Sequence, residues 1–268
     1  MKVCSLTDIG RKREMDQDYL YTSEEPVGNL QDLFLVADGM GGHNAGEFAS
    51  CTAVTRVVRS VMKNREQDEA AILKEAIRDA NSYIKKYADL HPQMQGMGTT
   101  LVAATIHGSR MTVANVGDSR LYLIPADAGR IPSERSDSRK NDAADSTPPG
   151  IVQITQDHSL VQELVRIGEI NEANARNHPD RNKITRAIGV EDSVEADFFE
   201  IDLPPAAFVM LCTDGLSNMV EDPEIQSIIL GPGTLEEKTA RLIDTANEHG
   251  GSDNATVILI QTDEVKTC

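Results

Sequence analysis

Apolar positions along the chain follow two rhythms, one of period two and one of three to four, and these assign most elements before any chemistry is considered. Residues 2–7, 18–22 and 33–37 read as strands. The third is a continuous apolar run, Leu33-Phe34-Leu35-Val36-Ala37, closed by Asp-Gly, the pattern of a central strand. Over residues 45–62, Phe48, Ala49, Ala53, Val54, Val57, Val58 and Val61 recur at helical steps. A second amphipathic helix is predicted over 69–90, with Ala70, Leu73, Ile77, Ile84 and Tyr87 on one face. Two consecutive helices of this length suggest an antiparallel pair laid across a sheet.

Strands resume at 99–106, 110–116 and 120–124. Their separators, His107-Gly108-Ser109 and Gly117-Asp118-Ser119, have hairpin length and composition, which predicts an antiparallel meander. Residues 127–150 are rich in Asp, Ser, Arg and Pro without periodicity, and read as a mobile surface loop. A short strand at 153–155 and a helix at 160–167 follow, and the polar segment 168–181 is expected to be irregular. Strands at 194–201, 208–213 and 255–260 and helices at 223–229 and 235–248 complete the chain. Strand runs interrupted by paired helices indicate an α+β fold rather than βαβ units. With no repeat and no linker, one domain over residues 1–268 is expected.

Composition narrows the function classes. A formal charge of −17 disfavours nucleic acid, whose phosphates need clustered Lys and Arg. Acidic excess serves solubility, or it gathers carboxylates around cations; composition does not choose between the two. The longest apolar stretches, such as Phe208 to Cys212, fall far short of a membrane span. The N-terminal residues carry no export signal. Four scattered cysteines without CxxC spacing suggest neither a zinc site nor a disulfide framework, so a cytoplasmic protein is expected.

Three aspartates share one context. Asp38 follows the run ending at Ala37, Asp214 follows Phe208 to Thr213, and Asp253 precedes the closing strand. Asp-Gly is a common turn pair, and any one of these reads first as a turn. Three at the ends of buried strands form a set of hard oxygen ligands suited to divalent cations. The glycine-rich Gly39-Met40-Gly41-Gly42-His43-Asn44-Ala45-Gly46 lacks the Lys and Ser/Thr of a phosphate loop. Its glycines suit close approach to a metal, with the Gly39 carbonyl as an extra ligand. Arg13, ahead of the second strand, has the fork that suits a phosphate group, though a lone arginine is more often simply on the surface.

Six strings occur in order: Arg13-Glu14-Met15-Asp16-Gln17-Asp18, Asp38-Gly39-Met40-Gly41-Gly42-His43, Gly98-Thr99-Thr100, Gly117-Asp118-Ser119-Arg120, Thr213-Asp214-Gly215 and Ser252-Asp253-Asn254-Ala255-Thr256. Together they resemble the PPM (type 2C) metal-dependent protein phosphatases, bacterial branch, from Thr7 to Ile260. The resemblance implies a four-layer α-β-β-α sandwich with two central antiparallel sheets. It implies two Mn²⁺ or Mg²⁺ ions bridged by Asp38, with Asp214 and Asp253 on one ion. The Gly39 carbonyl and a water-mediated Asp18 would serve the other, and Asp118 would join Asp214 at a weaker third position. Arg13 would hold the substrate phosphate, and about 158–186 would form the flap beside the site.

The chemistry so implied is direct hydrolysis of phosphoserine and phosphothreonine in proteins by a metal-activated water. His43 is the candidate proton donor, although Met40 stands where animal relatives carry their acid histidine. The expected partners are phosphorylated proteins and a Ser/Thr kinase of the same pathway, with neither nucleic acid nor membrane, and a monomer is expected. Alternatives are a stress-pathway phosphatase acting on an anti-sigma antagonist, which usually carries sensor domains, and a pseudophosphatase, which would lack a metal aspartate.

Overall fold

A computed structural model describes residues 1–42, 44–126 and 150–262. The surface loop expected over 127–150 therefore lies, except for Gly150, outside the described residues, as does His43. The chain runs through β1 (Lys2–Asp8), β2 (Asp18–Ser23), β3 (Leu33–Met40), α1 (Ala45–Lys63), α2 (Glu69–Leu90), β4 (Gly98–Thr99), β5 (Leu101–His107), β6 (Arg110–Val116) and β7 (Arg120–Pro125). It continues through β8 (Val152–Gln153), α3 (Leu160–Arg166), α4 (Glu172–Arg176), β9 (Asp197–Asp202), β10 (Ala207–Cys212), α5 (Asp214–Ser217), α6 (Asp222–Leu230), α7 (Leu235–Glu248) and β11 (Ala255–Gln261).

Local chemistry sets several boundaries. Asp68 accepts from the Ala70 amide at the start of α2, Ser159 from the Gln162 amide at α3, and Thr234 with Glu237 forms a reciprocal capping box at α7. The strands form two antiparallel sheets, ordered β1-β11-β10-β7-β8 and β2-β3-β5-β6-β9, with β4 paired to β3.

Alternation along each strand divides the core into three layers. Leu33, Leu35 and Ala37 of β3 face α1 and α2, packing with Val54, Val57, Ile77 and Ile84. Phe34 and Val36 face the other way, meeting Leu121, Val209, Leu211, Ile258 and Ile260 between the sheets. On the far side Met210, Val257 and Leu259 pack with Ile225 and Leu242 of α6 and α7. The result is the helix-sheet-sheet-helix sandwich of an α+β fold. Among the described residues no helix is long and apolar enough to cross a membrane.

Four expectations need correction. The meander breaks at its second turn: β5 and β6 pair, but β7 pairs with β10 and β8 in the other sheet. Gly117-Asp118-Ser119 is thus a crossover between sheets, although its composition is that of a hairpin. Second, β3 runs on through Asp38 to Met40, so Asp38 lies within a paired strand and not in a turn after it. Third, Asp214 opens a short helix, α5. Fourth, the segment 168–181 contains α4, whose first turn is capped by Asn171.

Both Asp-Gly pairs have a reason other than turn geometry. A Cβ on Gly39 would stand 2.1 Å from Gly46 O, and one on Gly215 would stand 1.9 Å from Asn254 O. The first glycine lets β3 meet the start of α1, and the second lets α5 press on the turn at Asp253 and Asn254 that leads into β11.

Candidate active site

The inter-sheet layer is apolar along most of its length and turns polar at one end. Continuing the alternation past Phe34 and Val36 brings Asp38 to the same face. Past Val102 it brings Thr100, past Leu211 it brings Thr213, and before Ile258 it brings Thr256. Asp18 is the direct cross-strand partner of Asp38. The strands thus deliver two carboxylates and three threonines to one mouth of the sandwich.

The threonines hold Asp18 by its carboxylate and Asp38 by its backbone. Asp18 is buried, and its Oδ2 accepts from Thr213 Oγ1 at 2.8 Å and Thr256 Oγ1 at 2.7 Å. The Asp38 amide donates to Thr100 Oγ1 at 2.9 Å, and its carbonyl accepts from the Thr100 amide and from Thr99 Oγ1. Thr100 Oγ1 also lies 2.7 Å from Ser119 Oγ, beside buried Asp118 on the crossover.

The remaining groups come from the first residue of α5 and from loops. Asp214 Oδ2 accepts from Asn218 Nδ2 at 3.0 Å across one turn of helix. Asp253 Oδ1 accepts from the Asn254 amide, and its Oδ2 receives Arg13 Nη2 at 2.6 Å. Asn254 fastens the loop that carries Arg13: its Nδ2 donates to Ile9 O and Met15 O, and its Oδ1 accepts from the Gln17 amide. The Gly39 amide donates to Gln17 O at 3.1 Å, which fixes the peptide after Asp38.

The electrostatics are those of crowded carboxylates. Burial first, then repulsion from Asp16 and Asp214, lifts Asp18 to about 8 against its threonine bonds. Burial, then repulsion from Asp253, lifts Asp214 to about 6. Asp38 and Asp118 are raised well above the carboxylate range, in each case chiefly by burial and then by neighbouring aspartates. Asp38 and Asp214 keep some exposed surface, but most of their surroundings are protein, so loss of bulk water dominates.

Two observations test whether such a set suits a divalent cation. Asp18 Oδ1 and Asp214 Oδ1 are buried with no hydrogen-bond partner, a cost that a bound cation removes. The donors are all oxygen, the preference of hard cations. As they stand, no three His, Cys, Asp or Glu side chains among the described residues form a ready-made cage. Asp38 and Asp214 repel each other, and Arg13 stands on Asp253. The donor set fits a cation by its chemistry, and closing around one requires the Arg13 contact to give way.

The structure therefore brings Asp18, Asp38, Asp118, Asp214, Asp253 and Arg13 to one mouth, with Gly39 next to Asp38. Sequence reasoning gave no role to Thr100, Thr213, Thr256 or Asn254, although all four lie inside the recognised strings. Beside the site a cleft of about 460 Å³ is lined by residues including Asp118, Asp214, Arg120, Asp157, Arg176 and Arg181. Arg120 clasps Asp157 through Nε and Nη2, the latter at 2.7 Å, and donates from Nη1 to Tyr122 OH.

The fold is a two-sheet sandwich whose inter-sheet core opens into an acidic mouth, and comparison with known proteins gives the family. The profile of the family described as Protein phosphatase 2C matches residues 10–256. The serine/threonine phosphatase stp of Listeria innocua is 39% identical over 260 residues, covering 95% of this chain and 93% of that protein. The crystal structure of the serine/threonine phosphatase PstP/Ppp of Mycobacterium tuberculosis superposes with a TM-score of 0.82 at 31% identity, covering 98% of this chain and 99% of that one. A PstP catalytic domain in complex with two manganese ions superposes at 0.78, with 31% identity and 98% of each chain covered. The chain belongs to the protein phosphatase 2C family, bacterial branch, and is a serine/threonine phosphatase.

Proposed function

We propose that this phosphatase hydrolyses phosphoserine and phosphothreonine by direct attack of water, with two divalent cations, Mn²⁺ or Mg²⁺, held at the acidic mouth. Asp38 would serve both ions and Asp214 and Asp253 one of them. The Gly39 carbonyl and Asp18, through water, would serve the other, with Asp118 and Asp214 at a weaker third position. The observation that carries this reading is the pair of orphaned buried oxygens, Asp18 Oδ1 and Asp214 Oδ1, among carboxylates that repel one another. When bound, such cations supply Lewis acidity and a nucleophile from water at neutral pH.

The chain's own residues do the rest. Thr213 and Thr256 hold the Asp18 carboxylate, and Thr100 fixes the backbone at Asp38, so both positions are set by the strands before substrate arrives. Arg13 is half exposed and aims its fork into the mouth. With Asp253 holding a cation, the Arg13 guanidinium would be free to pair with phosphoryl oxygens. The departing serine or threonine oxygen needs a proton, for which His43 is the candidate. We further propose that the chain is a single domain, flap included, and acts as a cytoplasmic monomer opposing a Ser/Thr kinase of the same pathway. Hydrolysis of a phosphothreonine peptide in Mn²⁺, with and without excess chelator, tests the reading; turnover that persists in chelator would sink it.

A further inference from the structure

The flap segment starts and ends on one histidine. His158 is buried, and it pairs reciprocally with Gly117. Its backbone N–H donates to Gly117 O at 3.0 Å, and the Gly117 N–H donates to His158 Nδ1 at 3.0 Å. Nδ1 is thereby an acceptor, so the ring proton sits on Nε2 and points at Asp197 Oδ2, 3.1 Å away. Burial lowers the imidazole's affinity for a second proton, which keeps this tautomer. Arg186 Nη1 donates to Asp197 Oδ1 at 2.7 Å and to Glu195 O at 3.0 Å. It also lies 3.0 Å from Nε2, but both nitrogens carry protons, so the two are held together by their shared acceptor Asp197.

The other end of the flap returns to the same place. The Thr185 amide donates to His158 O at 2.8 Å, the Leu160 amide donates to Lys183 O at 2.9 Å, and Ser159 and Ile184 form a bridge between them. Residues 159–184 therefore leave and rejoin the body at His158. Gly117, which His158 grips from both sides, immediately precedes Asp118 on the crossover between sheets.

We propose that His158 is a positioning residue that makes order in the flap and placement of Asp118 interdependent, through its paired bonds with Gly117. The Asp118 half rests on the reading of Asp118 as a cation ligand given above; the flap half does not.

Hydrogen exchange in chelator reads the flap half without turnover. His158→Ala should speed exchange at the Gly117, Leu160 and Thr185 amides by about tenfold or more, with α1 and α7 unchanged. His158→Asn restores an acceptor near the place of Nδ1 and should return Gly117 and the flap amides towards the parent. If His158→Ala does not fold, His158→Gln, which lacks that acceptor, takes its part. In a Mn²⁺ titration the Ala or Gln variant should need about tenfold more Mn²⁺ for half-maximal activity, and the Asn variant about the parent concentration. Unaltered exchange at Gly117 or at the flap amides, or a freed flap with an unaltered Mn²⁺ requirement, would overturn the proposal. Asp118→Asn separates the two readings: if it leaves the Mn²⁺ requirement unchanged, the ligand role of Asp118 fails, and the exchange data alone decide the part of His158.

Discussion

Asp18 and Asp38 stand directly opposite each other on the antiparallel β2–β3 ladder, both on the face turned towards the second sheet. Like charges at such a position work against the sheet. Sequence and strand register nevertheless place them there, with threonine hydroxyls and backbone bonds fixing each one. The arrangement is unfavourable for the chain alone and favourable with a cation between the carboxylates.

That opposition has a pH signature. In chelator Asp18 and Asp214 hold protons up to about 8 and about 6, and Asp38 and Asp118 are raised as well. Between the ordinary carboxylate range and about pH 8 the folded chain binds more protons than the unfolded one, so stability falls as pH rises through that window. Asp8 and Asp197 are held low, so their contribution is already complete above about pH 4, and His158, held low by burial, works the other way only up to about pH 6.5, one group against four. The chelated protein should melt at a lower temperature at about pH 8 than at about pH 5.5, and saturating Mn²⁺ should raise the melting point more at the higher pH. A chelated melting point that climbs over this window would contradict the account.

Replacing one charge of the pair should act in opposite directions on stability and activity. Asp18→Asn keeps an oxygen for Thr213 and Thr256 and removes the repulsion. At about pH 9, where the parent Asp18 is charged, the chelated variant should gain about 1 kcal/mol in urea unfolding, and less below about pH 8. Its Mn²⁺-dependent turnover should fall and its Mn²⁺ requirement rise. Loss of stability together with activity would assign Asp18 a purely structural part.

Asn254 gathers three backbone groups of the loop that carries Arg13. Truncation leaves two carbonyls and one amide without partners, so Asn254→Ala should cost about 3 kcal/mol of stability. At temperatures where the variant stays folded, its KM for a phosphothreonine peptide should rise more than its kcat falls, because the displaced element carries Arg13.

Arg13 stands on Asp253 in this structure, competing with any cation for that carboxylate. Arg13→Ala should therefore tighten Mn²⁺ binding while raising KM for the phosphopeptide by about tenfold or more, the worth of a charged hydrogen bond. Arg13→Lys should recover little of the KM, because an ammonium lacks the planar fork. Calorimetric Mn²⁺ titration and steady-state kinetics on the same preparations check both halves.

Much of this was legible in the sequence where local pattern and tertiary role agree. The amphipathic rhythm delimits α2 at the residues observed and α1 to within one, and the three strand-associated aspartates do meet. What stayed hidden depends on partners distant in the chain. A hairpin and a crossover share the composition Gly-Asp-Ser, and only the pairing of β7 with β10 distinguishes them. Thr213 and Thr256 look like ordinary strand residues until the second sheet brings Asp18 against them. Asn254 reads as a turn residue, yet its bonds reach Ile9, Met15 and Gln17 at the other end of the chain. The glycines after Asp38 and Asp214 suggest turns, although backbone approach, invisible to composition, is what requires them.

The central claim, that Asp38 and its neighbours assemble a two-cation centre, is tested most directly by Mn²⁺ binding to the metal-free enzyme, measured calorimetrically without substrate. The account predicts two tight equivalents for the parent and loss of both in Asp38→Asn, with that variant inactive on a phosphothreonine peptide. A single equivalent in the parent, or binding and turnover that survive Asp38→Asn, would contradict it.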